Sequence, residues 1–271
     1  MIRSRFILAG GVLGAIIAGG LVFDYARDPV LISVSEYFGE AEEREKTPEE
    51  RHAEAKERSE NRRGVYMTYD VAADGGRAAT RLREDILKLI DETELNAVVI
   101  DVKETKGTMI SDGLAETVQT FRKKGIWTIA RMTMMRDNSQ TAPHPEFYIR
   151  RANGAFWRDN HGHMWLDPSH PGVLEYNLRE VKRAIDIGFD EIQYDYVRFP
   201  SDGNMKDIVY PSYRPPLQKY EAIRDFLASM EQELRVYKPE IILSADLFGY
   251  VAMQAEDLTI GQRLVDIGDS V

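Results

Sequence analysis

From Gly64 onward, short runs rich in β-branched and aromatic residues alternate with longer amphipathic stretches, and this alternation constrains the fold more than any other feature. "GVYMTYD" (64–70), "NAVVIDVK" (96–103), "WTIARMTMM" (127–135), "EIQYDYVRF" (191–199) and "IILSADLFG" (241–249) read as strands. Helical periodicity occupies 77–92, 112–124, 171–187 and 215–237. Pro215 and Pro216 suit the start of the last helix and Pro239 its end. Strand, helix, strand in this order predicts βαβ units and a parallel sheet. Right-handed crossovers then leave two options, a (β/α)8 barrel or an open doubly wound sheet. No G-x-G-x-x-G follows any strand, so a dinucleotide-binding sheet has no support. An α/β fold of the (β/α)8 TIM-barrel type is expected.

Side chains alternate along a strand, so each strand divides into two faces. Asp70 shares a face with Thr68, and Val99, Asp101 and Lys103 share another. Ile129, Arg131 and Thr133 group together, as do Gln193 with Asp195 and Ser244 with Asp246. Each such face begins apolar or small and turns polar toward the C-terminal end of its strand, where a barrel of this type projects its active-site side chains. A buried ion pair, such as Asp101 with Arg131, would account for one or two of these groups. It does not easily cover Asp70, Asp101, Asp195 and Asp246 together, because unpaired buried carboxylates are costly. Strict alternation puts Tyr196 and Arg198 on the outer face. They reach the cleft if the strand twists or kinks before Pro200.

Several carboxylates at one cleft suit glycoside hydrolysis. One carboxylic acid protonates the leaving oxygen, and a second carboxylate attacks the sugar carbon or activates water. Asp195 and Asp246, at equivalent depths on consecutive strands, are the expected catalytic pair. Asp70, Asp101, Lys103, Arg131, Gln193, Tyr196 and Arg198 are the expected substrate-binding residues of the strands. The segment "WRDNHGHMWLDPSHP" (157–171) adds Trp165 and Asp167 from one long loop. It reads either as a sugar platform or as a cover over the barrel end. His161 and His163 have the spacing of a metal-ligand pair, but only five histidines are present and no metal site is assigned. The chain has no cysteine, which excludes thiolate catalysis and Cys-ligated zinc, and the hydrolysis requires no cofactor.

The formal net charge of -10 argues against a nucleic-acid partner, because binders of phosphate backbones present a basic face. Arg3 and Arg5 precede an uncharged apolar run, Phe6 to Phe23, of about 18 residues, near the lower limit for crossing a bilayer. Residues 1–23 are therefore expected to form a signal-anchor helix with the N-terminus inside and the rest of the chain outside the cytoplasm. Secretion after signal cleavage is the alternative. Residues 24–63 read as a charged stalk, helical or flexible, with a helix start at Thr47-Pro48-Glu49-Glu50.

Several of these segments carry a resemblance. "NAVVIDVKETKG", "IARMTMMRD", "WLDPSHPGVLEYNL", "GFDEIQYDYVRFP", "SADLFGY" and "IGQRL" resemble successive signatures of the glycoside hydrolase domain family DUF4015. The likeness runs from about Gly64 to the C-terminus, and "GFDEIQYDYVRFP" is its most specific element. It implies a TIM-barrel, carbohydrate-active domain over 64–271. By analogy with glycosidase barrels it also implies Asp195 as nucleophile and Asp246 as acid/base. The family pattern continues beyond "GQRLVDIGDSV" with a further strand and a P-M-x-Y-P-S-H-Y-like motif. The expectation is thus a barrel truncated at its C-terminus, with an exposed edge near residue 269. The expected function is hydrolysis of an extracytoplasmic or cell-envelope polysaccharide or oligosaccharide. The alternative is a non-catalytic barrel that binds glycans or an envelope protein.

Overall fold

The computed structural model describes residues 44–268 and 270–271. The expected anchor (1–23), the first half of the expected stalk (24–43) and Asp269 lie outside the described residues. Among the described residues, no helix is long and apolar enough to cross a membrane.

The elements run α1 (Pro48–Ser59), β1 (Gly64–Met67), α2 (Arg77–Glu92), β2 (Ala97–Glu104), α3 (Asp112–Lys123), β3 (Trp127–Thr133), α4 (Pro171–Asp186), β4 (Glu191–Asp195), α5 (Lys219–Tyr237) and β5 (Ile242–Ala245). The five strands are parallel and lie side by side in sequence order, β1-β2-β3-β4-β5. A doubly wound sheet would reverse direction at a switch point. Without a reversal, right-handed crossovers bring each helix to the same face of the sheet.

That face holds the main core. Val98, Ile100 and Val102 of β2, Ala130 and Met132 of β3, and Ile192 and Tyr194 of β4 are all fully buried. They belong to one cluster with Leu114, Val118 and Phe121 of α3, Val181 and Ala184 of α4, and Ile223, Leu227 and Met230 of α5. Each buried aliphatic side chain is worth about 1.5–3 kcal/mol. A second, smaller cluster of Ala97, Trp127 and Ile129 occupies the opposite face of the sheet.

Capping sets the helix starts. Thr47 accepts from the Glu50 backbone N–H while the Glu50 side chain accepts from Thr47 N–H, a capping box that opens α1. This helix is not free of the body. Arg51 reaches Glu240 at 3.7 Å, and His52 Nδ1 lies 2.6 Å from an Arg235 guanidinium nitrogen. Arg58 and Arg62 stack over Trp127, at 5.5 and 4.5 Å from the ring centre. Ser111 caps α3 through Leu114 N–H. Two residues later, Gly113 lets that helix end close on the short helix Tyr69–Ala73, since an added Cβ would stand 2.3 Å from the Ala73 carbonyl oxygen. Gly113→Ala is therefore expected to lower stability by about 1–3 kcal/mol, read as a fall in the urea midpoint. An unchanged midpoint would show that the contact yields freely.

Four strands end earlier than the sequence pattern suggests, at Met67, Thr133, Asp195 and Ala245, and for the first and third the cause is visible. Thr68 accepts from Val71 N–H and starts the short helix, so Asp70 sits exposed in a first helical turn and not on the face of β1. At the end of β4, Tyr196 takes a left-handed conformation (φ 50°), which stops the alternation after Asp195.

Candidate active site

Strand register stacks the inner face in layers. Gly64, Ala97 and Trp127 are level with one another, and above them stand Tyr66, Val99, Ile129, Glu191 and Ile242. The next layer is Asp101, Arg131, Gln193 and Ser244, followed by Thr133 with Asp195. Ala97, Trp127 and Ile129 form an apolar cluster in these lower layers, and Glu191 beside them accepts from Trp127 Nε1 at 2.8 Å and from Ser244 Oγ at 2.6 Å. The polar layers begin above this cluster.

Arg131 is the centre of the upper layers. Its Nη1 donates to Asp101 Oδ1 at 2.8 Å, its Nη2 to Asp195 Oδ2, and its Nε to Asp246 Oδ2 at 3.3 Å. One guanidinium from β3 thus joins carboxylates from β2, from the end of β4 and from just beyond β5. Tyr66 of β1 donates its hydroxyl to the other oxygen of Asp101. Burial, reinforced by that carboxylate, pushes the Tyr66 phenol up to about 12, so it stays a donor. Asp195 is also held by Tyr196 N–H, which donates to Oδ1 at 2.7 Å. Burial raises Asp195 above the ordinary carboxylate value. Arg131 and the Tyr196 N–H oppose the shift, the neighbouring Asp246 charge adds to it, and the net direction is upward. The Arg131 guanidinium, among three carboxylates, remains charged throughout. Gln193 projects from the same face, half-buried, with no hydrogen bond to its amide among the described residues.

Three other expected site residues lie elsewhere. The pairing of β2 with β3 slips between Asp101 and Lys103, a bulge that turns Lys103 off the inner face. Lys103 is completely buried, with Nζ 2.8 Å from Asp137 Oδ2 and 2.5 Å from the Thr133 carbonyl. Asp167 is buried as well. Its carboxylate accepts backbone N–H groups of Ser169, Ser212 and Tyr213, and so ties two loops together. Trp165 is 1% exposed and donates Nε1–H to Asp159, which also accepts from the His161 and His163 backbones. Trp157 is equally buried. The 157–171 segment is therefore a folded cover, and neither tryptophan presents a free face for stacking. No group of three metal-ligand side chains converges among the described residues.

Tyr196 and Arg198 do come to the cleft rim, because the left-handed turn at Tyr196 re-aims the chain beyond Asp195. The Tyr196 ring meets Trp165 edge-on at 5.8 Å, and the Arg198 guanidinium lies over both rings. Two participants were not read from the sequence. Tyr66 shares a face with Gly64 and could have been found by the same alternation. Arg136 lies past the end of β3, beyond the reach of strand periodicity, and stacks over Tyr196 at 3.6 Å.

The sequence profile of the family DUF4015, described as "Putative glycosyl hydrolase domain", matches residues 64–271. A hypothetical protein from Ruminiclostridium thermocellum of known crystal structure is 30% identical, with a TM-score of 0.57 over 68% of this chain and 98% of that one. The GH36 α-galactosidase AgaA from Geobacillus stearothermophilus is 14% identical, with a TM-score of 0.50 over 73% of this chain and 30% of that one. The second likeness concerns the fold alone. No curated protein matches the chain.

Proposed function

This chain belongs to the DUF4015 family, and from that premise we propose that it hydrolyses glycosidic bonds with Asp195 as nucleophile and Asp246 as acid/base. The supporting observation is the shared guanidinium. Nε and Nη2 form one edge of the Arg131 fork, and Asp195 and Asp246 each place an oxygen on it. Two carboxylates so placed suit the narrow separation of about 5 Å used by retaining enzymes better than the wider gap that admits a water. Asp195 is held by two donors, as a nucleophile that must attack along one line should be. Asp246 has one contact and a side chain 39% exposed, which suits a group that exchanges protons. Gln193 is free to bind a sugar hydroxyl.

The test is release of reducing ends from a panel of cell-envelope polysaccharides, with the product anomer followed by proton NMR. Retention of configuration is expected. Full activity in Asp246→Asn would remove that residue from the role. The pH profile provides a further check. As nucleophile, Asp195 must be ionised, and its folded-state value lies above the ordinary 3.8. Activity should be complete well above that raised value and lost as pH falls through it. The acid limb of kcat/KM is thus expected above the usual aspartate range and should vanish from the profile if another group is the nucleophile.

Substrate outside the cytoplasm and attachment to a membrane form part of this proposal on the sequence of residues 1–23 alone. A second reading, a non-catalytic barrel that binds glycans or an envelope protein, draws on the same Arg131, since a guanidinium seated among the carboxylates neutralises them. Glycan pull-down without turnover would favour it.

A further inference from the structure

Beside Asp195, the left-handed turn at Tyr196 sets one ring against two guanidinium groups. Arg136 lies 3.6 Å and Arg198 5.2 Å from its centre. Arg131 nearby holds three carboxylates, whereas neither of these two arginines makes an ion pair among the described residues. Among the described residues Arg198 donates only through Nη1, to Phe199 O and Ser201 Oγ, each at 3.1 Å. The Arg136 side chain makes no hydrogen bond among the described residues, and its Nε is buried without an acceptor.

A guanidinium carries five donors and no acceptor, and burying those donors unpaired is unfavourable. Two such groups on one ring also repel. Burial holds Arg198 below its ordinary value, and the Arg136 charge adds to it in a small way. Asp195 and Asp202 act on Arg198 through their fields without touching it. The ring stacking positions the two forks but leaves most of their N–H groups unused. An oxyanion offers several acceptor oxygens to such unused N–H groups, and the planar guanidinium fork is better suited to it than a lysine ammonium.

We infer that Arg136 and Arg198 form a subsite for an anionic substituent of the glycan, a carboxylate, phosphate or sulfate, next to the bond that is cleaved. Its assignment to a glycan rests on the hydrolase reading, while the binding of the anion does not. The substrates it selects are acidic polysaccharides, and a neutral glycan of the same linkage would leave the two arginines unpaired.

The test follows the side-chain Nε–H signals of Arg136 and Arg198 in the 15N-labelled full chain. Sodium sulfate, methyl galacturonate and glycerol phosphate are each titrated against sodium chloride at equal ionic strength. Saturable shifts with at least one of the three anions are expected, and the one that binds most tightly identifies the class of substituent. Arg198→Gln should weaken that binding by about tenfold or more, the loss expected for one charge-assisted contact. Shifts no larger than those with chloride for all three anions would overturn the subsite, as would full affinity in Arg198→Gln. If that variant does not fold, the wild-type titration decides alone. Wild-type turnover separates the two readings. No release of reducing ends from any acidic or neutral glycan sinks the hydrolase assignment while the anion shifts stand, and absent shifts sink the subsite whatever the turnover.

Discussion

Asp195→Asn is expected to lower kcat for glycan hydrolysis by about 10^4-fold or more, the scale seen when a residue that bonds covalently to substrate is removed. Asparagine keeps the shape of the side chain, and its carbonyl oxygen can still accept from Tyr196 N–H or Arg131, the two donors that hold Asp195. It lacks the charge and the nucleophilic oxygen. Folding is expected to survive, because burial already disfavours the ionised carboxylate at this position. The measurement pairs reducing-end release with thermal unfolding. Loss of turnover with a single unfolding transition near that of the wild type supports the assignment. Turnover above about a tenth of wild type would exclude Asp195 as nucleophile, since a displaced nucleophile cannot be replaced so cheaply.

The largest loss of stability is expected at Lys103→Met, away from the cleft. Lys103 and Asp137 are both wholly buried and 2.8 Å apart. Burial alone would raise Asp137, but the Lys103 ammonium and the Ser139 contacts outweigh it and hold the carboxyl below its ordinary value. In the wild type this pair therefore contributes stability above the unfolded-state value of 3.8, and the contribution is lost as pH falls through the lowered folded value. Methionine leaves Asp137 its hydrogen bonds from Tyr176 Oη and Ser139 N–H, each at 2.7 Å, but no counter-charge. A loss of about 3–5 kcal/mol near neutral pH is expected, and the gap to wild type should narrow in acid, where the stranded carboxyl takes up a proton. Urea denaturation at the two pH values reads both effects. A loss below about 1 kcal/mol, or one independent of pH, would show that the ammonium is not what stabilises Asp137. Adding Asp137→Leu to Lys103→Met should recover much of the deficit, since an apolar pair of similar volume replaces a buried ion pair at little cost.

Much of the site was legible because strand periodicity is local. Asp101, Arg131, Gln193, Asp195 and Asp246 follow from counting every second residue, and their strands pair in the register that brings those residues together. The helices expected at 77–92 and 112–124 follow from apolar spacing, and they form at Arg77–Glu92 and Asp112–Lys123. Counting failed wherever the backbone left the strand. The bulge after Asp101 removed Lys103, the Thr68 cap removed Asp70, and the turn at Tyr196 carried Arg198 to the face that alternation denied it. Bulges and left-handed residues arise from contacts with neighbouring strands and loops, so the residues of a single strand do not announce them. Loop residues were harder still. Trp165 and Asp167 have the chemistry of a sugar site, yet their polar atoms are taken by Asp159 and by three backbone N–H groups.

The sequence by itself determined a parallel α/β sheet, the strand faces that turn polar, and the carboxylates they carry, because all of these depend on spacing along the chain. Only the tertiary structure decided that one guanidinium joins three of those carboxylates, and that Arg136 and Arg198 meet on the Tyr196 ring with no counter-ion among the described residues. Both arrangements bring together side chains that are adjacent in space while far apart in the chain, and the free energy of a charge depends on its surroundings.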